Sequence, residues 1–242
     1  MSALLSAEGL NKRFGAVAAA SDITLVFERD SVVSLIGANG AGKTTFLNIV
    51  TGYLRPDSGR IRFDGHDLVG RSPREITGMG LSRSFQIPQL FATLSVRENL
   101  LLAEGIAGAE RAEQATDELL ARFDLEPYAA RAAGLLPEGI RKLLDVAMAL
   151  VARPKLLLLD EPTSGVAAEE KFGIMDLVMS AVRGHGVTVL FVEHDMDIVS
   201  RYAGRVVAFY DGRIIADGPP QAVLRSDEVL RYVIGEDVRA AA

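Results

Sequence analysis

The sequence contains no cysteine among its 242 residues. It can therefore form neither a disulfide framework nor a thiolate metal site, which fits a reducing compartment. Long apolar runs are also missing, since LLLL at Leu156–Leu159 is far shorter than the ~20 residues that cross a bilayer. The start, MSALLSAEGLNKRF, has no basic segment followed by a long apolar run and is not predicted to be a secretory signal. We expect a soluble chain that can still dock on a membrane protein.

An excess of basic residues is missing as well. The chain has 26 Lys and Arg against 32 Asp and Glu, a formal net charge of -6. A general nucleic-acid binder needs a basic face to release phosphate counterions, so the charge argues against that class while leaving room for a local basic pocket. With 49% hydrophobic and 24% charged residues, the composition is that of a globular protein, long enough for one large core.

The hydrophobic pattern predicts an α/β fold with a mostly parallel sheet, because short apolar runs alternate with longer helical stretches. Strand candidates at residues 4–10, 23–27 and 59–63 predict an N-terminal antiparallel β flank. Helical stretches at 96–104 and 110–123 predict a helical subdomain, at about 88–152, inserted between strands. Further strands are predicted at 31–36, 155–159, 187–192, 205–210 and 213–216, with helices at 44–51 and after Pro219.

A glycine-rich stretch, GANGAGKTT, lies between a predicted buried strand and a predicted helix. It matches the phosphate-binding loop, in which glycines let successive N–H groups face one anion and the helix start adds a positive dipole end. Lys43 would place a cation on the terminal phosphates, and the Thr44 hydroxyl would ligate Mg²⁺. A chance glycine-rich turn is the alternative, and the flanking strand and helix disfavour it. The predicted nucleotide-binding residues are Gly37, Ala38, Asn39, Gly40, Ala41, Gly42, Lys43, Thr44 and Thr45.

Two acids follow a run of leucines in KLLLLDEP. Asp160 and Glu161 are predicted at the C-terminal edge of a central strand, where open α/β sheets place ligands. Asp160 would hold Mg²⁺ directly or through water, and Glu161 would polarise the attacking water. Alone, such a pair is also typical of two solvated acids. The phosphate-binding loop favours the functional interpretation.

Three single residues complete the candidate site. His194, at the end of VTVLFVEHDM, would reach a γ-phosphate or orient water. Gln86, in SFQIPQLF, would sense Mg²⁺ and water through its amide, and Phe14, in NKRFGAV, would stack on adenine. Each has a structural alternative, because a lone histidine or phenylalanine is more often structural and an exposed glutamine is usually only a surface residue.

The order of these elements resembles the ATP-binding subunit of an ABC transporter. Phe14, GANGAGKT, Gln86, LPEGI, LLLLDEP and EHD follow one another along nearly the whole chain. More narrowly, SFQIPQLFATLSVRENLLLA, VEHDMDIV and VLRYVIGED resemble the branched-chain amino acid type of importer ATPase. The resemblance implies a P-loop NTPase core, a single ATP-binding domain over residues 1–242, and ATP with Mg²⁺ as cofactors.

The same resemblance implies partners and roles. Two ATPase subunits, of the same or a related chain, would close head to tail around two ATPs, each ATP between one phosphate loop and the partner's signature motif. Integral membrane permease subunits, and indirectly a solute-binding protein, would complete a complex at the cytoplasmic face of the cell membrane, with no nucleic acid. It would import an amino acid or a related small polar or aromatic solute. By position, Glu161 is the catalytic base, His194 its γ-phosphate partner, and Thr44, Gln86 and Asp160 the Mg²⁺ ligands.

One segment departs from the family pattern. The usual signature reads Leu-Ser-Gly-Gly-Gln, whereas residues 136–140 read LPEGI. Pro137 lacks an N–H donor and Glu138 is a like charge for phosphate unless it points away, although both suit a helix start. Gly139 remains the candidate phosphate contact. Arg141 and Lys142 follow as possible compensating cations, and the sequence leaves their direction open.

A second departure is Ala167, where the family usually has Asp or Asn. Both departures are compatible with drift in a segment that works through backbone N–H groups. They are also compatible with an asymmetric complex, in which the site that uses LPEGI is weak or silent.

Other classes are less favoured. A non-transport ABC ATPase on nucleic acid or the ribosome is disfavoured by the single phosphate loop and the acidic balance. A P-loop kinase or GTPase lacks support, because no guanine-reading Asn-Lys-x-Asp element follows a strand. A module that binds ATP without turnover stays open.

Overall fold

A computed structural model describes residues 3–235 of the chain. The chain divides into two compact units: unit 1 comprises the residues up to Met79 and those from Thr188 onward, and unit 2 comprises Gly80–Val187. Glu236 and Asp237, the end of the predicted VLRYVIGED motif, lie outside the described residues. Over residues 3–235, helices that combine the length and the apolar character needed to cross a membrane are absent.

Strands and helices alternate along most of the chain. The strands are β1 Ala3–Phe14, β2 Val17–Glu28, β3 Val32–Ile36, β4 Ser58–Phe63, β5 His66–Asp67, β6 Leu81–Ser84, β7 Leu156–Asp160, β8 Thr188–Val192, β9 Arg205–Tyr210 and β10 Arg213–Gly218. The helices are α1 Lys43–Val50, α2 Pro73–Gly78, α3 Val96–Ala107, α4 Ala112–Arg122, α5 Glu138–Val151, α6 Lys171–Val182, α7 Met196–Tyr202, α8 Pro220–Val223 and α9 Asp227–Val229, followed by a π-helical turn at Leu230–Ile234.

An antiparallel sheet in unit 1 confirms the predicted N-terminal β flank. Its strands are ordered β2-β1-β4-β5, and β1 pairs antiparallel with both β2 and β4. In β2, Ile23, Leu25 and Phe27 are buried while Thr24 and Val26 are exposed. This alternation is typical of a sheet with one face on the core. The first two strands are longer than the predicted 4–10 and 23–27, because they extend to a shared hairpin turn.

The second sheet region of unit 1 has the order β10-β9-β3-β8. β3 pairs parallel with β8 and with β9. β9 and β10 form an antiparallel hairpin whose turn, Asp211–Gly212, has positive φ at both residues (47° and 72°), as the Asp-Gly pair predicts. The parallel strands β3 and β8 consist almost wholly of buried residues, which is typical of strands covered on both faces.

Helix α1 packs against both sheets of unit 1. α1 follows β3 and begins at Lys43, one residue before the predicted start. Its Phe46 ring lies 6.1 Å from the Phe27 ring of the antiparallel sheet and 5.9 Å from the Phe209 ring of β9. The C-terminal helix α8 begins at Pro220 with Pro219 at its N-cap, which confirms the predicted proline start.

Unit 2 contains a parallel strand pair and the helices of the middle of the chain. β6 pairs parallel with β7, and all five residues of β7 are buried. The helices predicted at 96–104 and 110–123 are present as α3 and α4. A Ser95–Glu98 capping box begins α3. The Oδ1 atom of the buried Asn99 accepts a hydrogen bond from the Phe91 N–H at 2.9 Å, and this bond fixes the segment that leads into the helix.

Candidate functional site

The phosphate-loop candidate of unit 1 connects β3 to α1 with strained backbone that requires glycine. Gly37, Gly40 and Gly42 have φ values of 153°, 81° and 107°. A Cβ atom at Gly37 would lie 2.5 Å from the Phe209 carbonyl oxygen, and one at Gly42 would lie 2.4 Å from that of Ala19. Real Cβ atoms do not approach backbone this closely. The glycines that the sequence pattern singled out are therefore required by the local geometry.

The lysine of this loop is folded over it. Lys43 has an exposed fraction of 6%, and its Nζ donates to the carbonyl oxygens of Gly37 at 2.5 Å and Ala38 at 3.1 Å. Lys43 is also the first residue of α1, while Thr44 is exposed at the same helix end. An ammonium group and a helix N-terminus together make this loop strongly attractive to phosphate.

Two further predicted residues lie in unit 1. His194 is exposed and comes two residues after β8, the parallel neighbour of β3. His194 and the phosphate loop therefore follow the carboxyl ends of adjacent strands, which is where ligands bind in such sheets. Phe14 is 51% exposed at the β1–β2 turn, with the Lys12 ammonium 5.6 Å from its ring. This exposure rules out the alternative that Phe14 belongs to the core.

The two predicted acids of unit 2 lie at the end of β7, with Asp160 as its last residue and Glu161 directly after it. Asp160 is buried, and its Oδ2 accepts a hydrogen bond from Arg83 Nη2 at 2.6 Å. Glu161 follows with a φ of 52°, a left-handed conformation that costs a residue with a side chain roughly 1–3 kcal/mol. Six other described non-glycine residues also have a positive φ, and the catalytic role of Glu161 stays a prediction.

Gln86 and Glu161 are brought together in unit 2. Gln86 Nε2 donates to Glu161 Oε2 at 2.9 Å, although the residues are 75 positions apart in the sequence. A carboxylate held by an amide N–H has a defined orientation, which a general base needs in order to take a proton from water. The Gln86 amide thus contacts the catalytic candidate directly.

The signature segment of unit 2 forms an ordinary helix start. α5 begins at Glu138 with Pro137 at its N-cap, as predicted. The Glu138 carboxylate pairs with Arg141 Nη1 at 3.3 Å, which partly neutralises the charge that would oppose a phosphate. Gly139 is buried, and a Cβ atom there would lie 3.2 Å from Ile174 Cδ1 of α6. The facing atom is the end of a flexible side chain, so packing within the unit does not by itself require glycine at this position.

Lys142 points into unit 2, which settles the direction that the sequence left open. Its Nζ donates to the Gln86 carbonyl oxygen at 2.5 Å and to the Glu161 carbonyl oxygen at 3.0 Å. One helical turn away, the Asp145 carboxylate accepts from the backbone N–H groups of Phe85 at 2.9 Å and Gln89 at 3.0 Å. Burial raises the pKa of Asp145, and the two N–H donors and the Lys142 charge lower it by less.

Arg83 and Asp145 contact the site and are not assigned by the sequence analysis, which names Lys142 only as a possible compensating cation at the signature segment. The available signal was weak: Lys142 and Asp145 are the two charged residues within the otherwise apolar stretch KLLDVAMAL of α5. A charge on the apolar face of a helix is unusual unless it is paired. The facing partners, however, come from segments far away in the sequence.

Comparison with known proteins agrees with this geometry. A family model described as ABC transporter matches residues 20–164. BraF of Pseudomonas aeruginosa, a high-affinity branched-chain amino acid transport ATP-binding protein, is 35% identical, covering 96% of this chain and 98% of that protein. LivG of Escherichia coli, which bears the same description, is 34% identical with the same coverage.

A solved structure supports the same assignment. The ADP conformation of an ATP-binding cassette of an ABC transporter is 31% identical, with a TM-score of 0.87, covering 98% of this chain and all of that one. The predicted fold class, an α/β P-loop NTPase core with an antiparallel flank, is thereby confirmed. The chain belongs to the ABC transporter family and is one of its ATPases.

Proposed function

We propose that this chain hydrolyses ATP to drive the import of a small solute through integral membrane permease subunits. The solute is an amino acid or a related small polar or aromatic compound. The names of BraF and LivG, which share about a third of their residues with this chain over nearly its whole length, support this substrate class. Two ATPase subunits, of the same or a related chain, and indirectly a solute-binding protein, complete the assembly at the cytoplasmic face of the cell membrane.

One observation carries the proposal of hydrolysis: the 2.9 Å hydrogen bond between Gln86 and Glu161, next to the buried Asp160. In this proposal, Glu161 takes the proton of the attacking water and Gln86 fixes its orientation. Lys43 and the N–H groups of its loop bind the phosphates. His194 contacts the γ-phosphate, and Phe14 stacks on the adenine.

Mg²⁺ fits the residue types available. Thr44 offers a hydroxyl, Gln86 an amide oxygen and Asp160 a carboxylate, which are the hard oxygen donors that Mg²⁺ prefers. One carboxylate oxygen of Asp160 accepts from Arg83, so we assign Asp160 a contact through its other oxygen or through water. When bound, the ion neutralises charge on the phosphate oxygens.

The second candidate function is that of an ATPase with unequal sites. The observation that favours it is the start of α5, where an N-cap without a side-chain hydrogen bond and the Glu138–Arg141 pair replace the hydroxyl and amide of the usual signature. A partner's ATP facing this segment would meet the backbone N–H groups of the helix start but neither side-chain donor of the usual signature. The site that uses this chain's own Lys43 and Glu161 would remain complete if the partner carries a full signature.

The test is ATP hydrolysis and solute uptake by the complex, co-expressed with its permease subunits and partner ATPase and reconstituted in proteoliposomes. We expect Glu161→Gln to lower ATP turnover at least about 100-fold. Retention of full turnover by this variant would overturn the assignment of Glu161. Uptake assays with branched-chain amino acids, amides and aromatic acids decide the solute class.

A matched substitution tests the asymmetry. The equivalent Glu→Gln change in the partner ATPase is expected to lower turnover far less than Glu161→Gln, and equal losses would sink the asymmetry. Rebuilding the signature with Pro137→Ser, Glu138→Gly and Ile140→Gln should raise turnover, by up to about twofold when the sites act independently.

A further inference from the structure

Helix α5, which begins within the signature segment, also holds the proposed catalytic residues of its own unit through hydrogen bonds. Lys142 and Asp145 are three positions apart on α5, so their side chains lie on one face of the helix. Asp145 binds the backbone N–H groups of Phe85 and Gln89, on either side of Gln86. Two N–H donors on one carboxylate fix the path of this five-residue segment, which follows β6.

Lys142 closes a ring of hydrogen bonds around the catalytic pair. Its Nζ donates to the carbonyl oxygens of Gln86 and Glu161, at 2.5 and 3.0 Å. The side chains of these same two residues are joined by the 2.9 Å hydrogen bond from the Gln86 amide to the Glu161 carboxylate. Backbone and side chain of both residues are thus held at once, and Glu161 is held with the strained φ of 52°.

Such an arrangement is costly for stability alone. Lys142 and Asp145 have exposed fractions of 3% and 6%, and burying two charges carries a desolvation penalty that apolar residues of similar volume avoid. Their neighbours on α5, Leu143 and Leu144, are buried, which shows that leucine side chains can fill the interior along this helix. Buried charges that break the local pattern without a gain in stability are typical of functional sites.

We propose that Lys142 and Asp145 are positioning residues, which hold the Gln86–Glu161 pair and join the signature helix to this chain's own catalytic carboxylate. The proposal rests on the proposed function, because it assigns Glu161 the role of general base. Lys142 lies one helical turn after Glu138, so a displacement at the start of α5 reaches Glu161 through a single turn of helix. A nucleotide bound by a partner at the signature segment would thereby act on the opposite site.

The experiment compares Lys142→Met, Lys142→Arg and Asp145→Asn in the assembled complex. Lys155→Met serves as the matched control. Lys155 is exposed and directly precedes the first residue of β7, whereas Glu161 directly follows the last residue of that strand. The kcat and KM for ATP are measured for each complex, and amide hydrogen exchange is measured on the full chain. The Phe85 and Gln89 amides report whether the segment is held.

We expect Lys142→Met to lower kcat roughly 100-fold, because misplacing a catalytic group by about 1 Å has an effect of that size. KM for ATP should change less than about threefold, since phosphate binding is assigned to unit 1. Lys142→Arg keeps the cation and its donors and should retain kcat within roughly tenfold of wild type. Exchange at Phe85 and Gln89 should accelerate in Lys142→Met and Asp145→Asn and stay unchanged in Lys155→Met.

Two results would overturn the proposal. One is a Lys142→Met complex with kcat within about twofold of wild type. The other is exchange that accelerates equally throughout unit 2, which would indicate a general loss of stability. If the wild-type complex itself does not hydrolyse ATP, the proposed function fails, and the exchange measurement still decides whether Lys142 and Asp145 hold the segment.

Discussion

The phosphate loop of unit 1 and the proposed catalytic segment of unit 2, which comprises residues 83–89 together with Asp160 and Glu161, are held in place by different means. The loop is built from backbone: its glycines have positive φ, and at Gly37 and Gly42 a carbonyl oxygen lies within 2.5 Å of the position that a Cβ atom would take. The catalytic segment is built from charged side chains, since Arg83 holds Asp160 while Lys142 and Asp145 hold the residues around Gln86.

This difference decides what each region tolerates. In the loop an added methyl group meets backbone, which cannot move aside without shifting a strand. In the catalytic segment a lost charge leaves its partner buried and unsatisfied, which is costly even when the shape is preserved. Substitutions that add atoms should therefore damage the phosphate loop, and those that remove a paired charge should damage the segment around Gln86 and Glu161.

The largest effect is expected from Gly42→Ala. The new Cβ atom would lie 2.4 Å from the Ala19 carbonyl oxygen, at a φ of 107°. We expect the free energy of unfolding to fall by roughly 4 kcal/mol, because the positive φ and the steric overlap each cost about 2 kcal/mol, and the affinity for ATP to fall at least about tenfold. Chemical denaturation and binding of a fluorescent ATP analogue to the full chain measure the two effects.

Gly139→Ala is the matched comparison. The nearest atom to its new Cβ is the terminal Cδ1 of Ile174, at 3.2 Å, and alanine is favoured over glycine in a helix by up to about 1 kcal/mol. The free energy of unfolding should therefore stay within about 1 kcal/mol of wild type. Equal losses in the two variants would contradict the distinction between a backbone-built and a side-chain-built region.

A second, smaller effect is expected from Arg83→Met. The Arg83–Asp160 pair is buried, with side-chain exposed fractions of 7% and 7%, so the variant leaves a buried carboxylate without this partner. We expect the free energy of unfolding to fall by about 3 kcal/mol. Urea denaturation followed by circular dichroism provides the measurement.

Arg205→Met is the control for this pair. Arg205 and Asp217 are also 2.6 Å apart, but their side chains are 32% and 34% exposed. Water solvates the remaining aspartate, and the loss should be about 1–2 kcal/mol, because two hydrogen bonds to Asp217 and one from Arg205 Nη1 to the Val26 carbonyl oxygen are removed together. If Arg205→Met proves as damaging as Arg83→Met, burial does not set the strength of these pairs.

The same contrast explains which parts of the site could be predicted from the sequence. The phosphate loop leaves a local pattern, because its three glycines share one nine-residue stretch and each has a positive φ, although the carbonyl oxygens that exclude a Cβ atom at Gly37 and Gly42 belong to Phe209 and Ala19. Asp160 and Glu161 could also be predicted, because they are acids directly after a run of leucines. Gln86 and His194 carry little local signal, and their assignment rested on the family resemblance.

The side-chain network could not be predicted, because its members come from three separate stretches of the chain. Arg141 and Lys142 are adjacent and chemically similar, and α5 turns them about 100° apart. Which of them faces inward is decided by tertiary packing. Helix α6 was not assigned for a related reason: most of its residues are apolar, with buried positions such as Ile174 and Val178, so it lacks a clear polar stripe.

The smallest effect is expected from another buried charge of unit 2. Glu104 in α3 has an exposed fraction of 5% and borders a cavity of about 590 Å³, so its carboxylate is only partly desolvated. Burial raises the pKa of Glu104, and the charge of Arg153 lowers it by less. A raised pKa means that the folded chain favours the neutral acid, and this stabilisation is lost as the pH rises through the folded pKa.

Glu104→Gln removes this titration while keeping a polar side chain of similar size. Below the ordinary glutamate pKa of about 4.3 the variant and the wild type should have equal free energies of unfolding. At higher pH the variant should be more stable, by roughly 1 kcal/mol, because the wild type then buries a charge. Urea denaturation across the pH range measures the difference, and a gap that is the same at every pH would show that the buried charge of Glu104 contributes nothing to it.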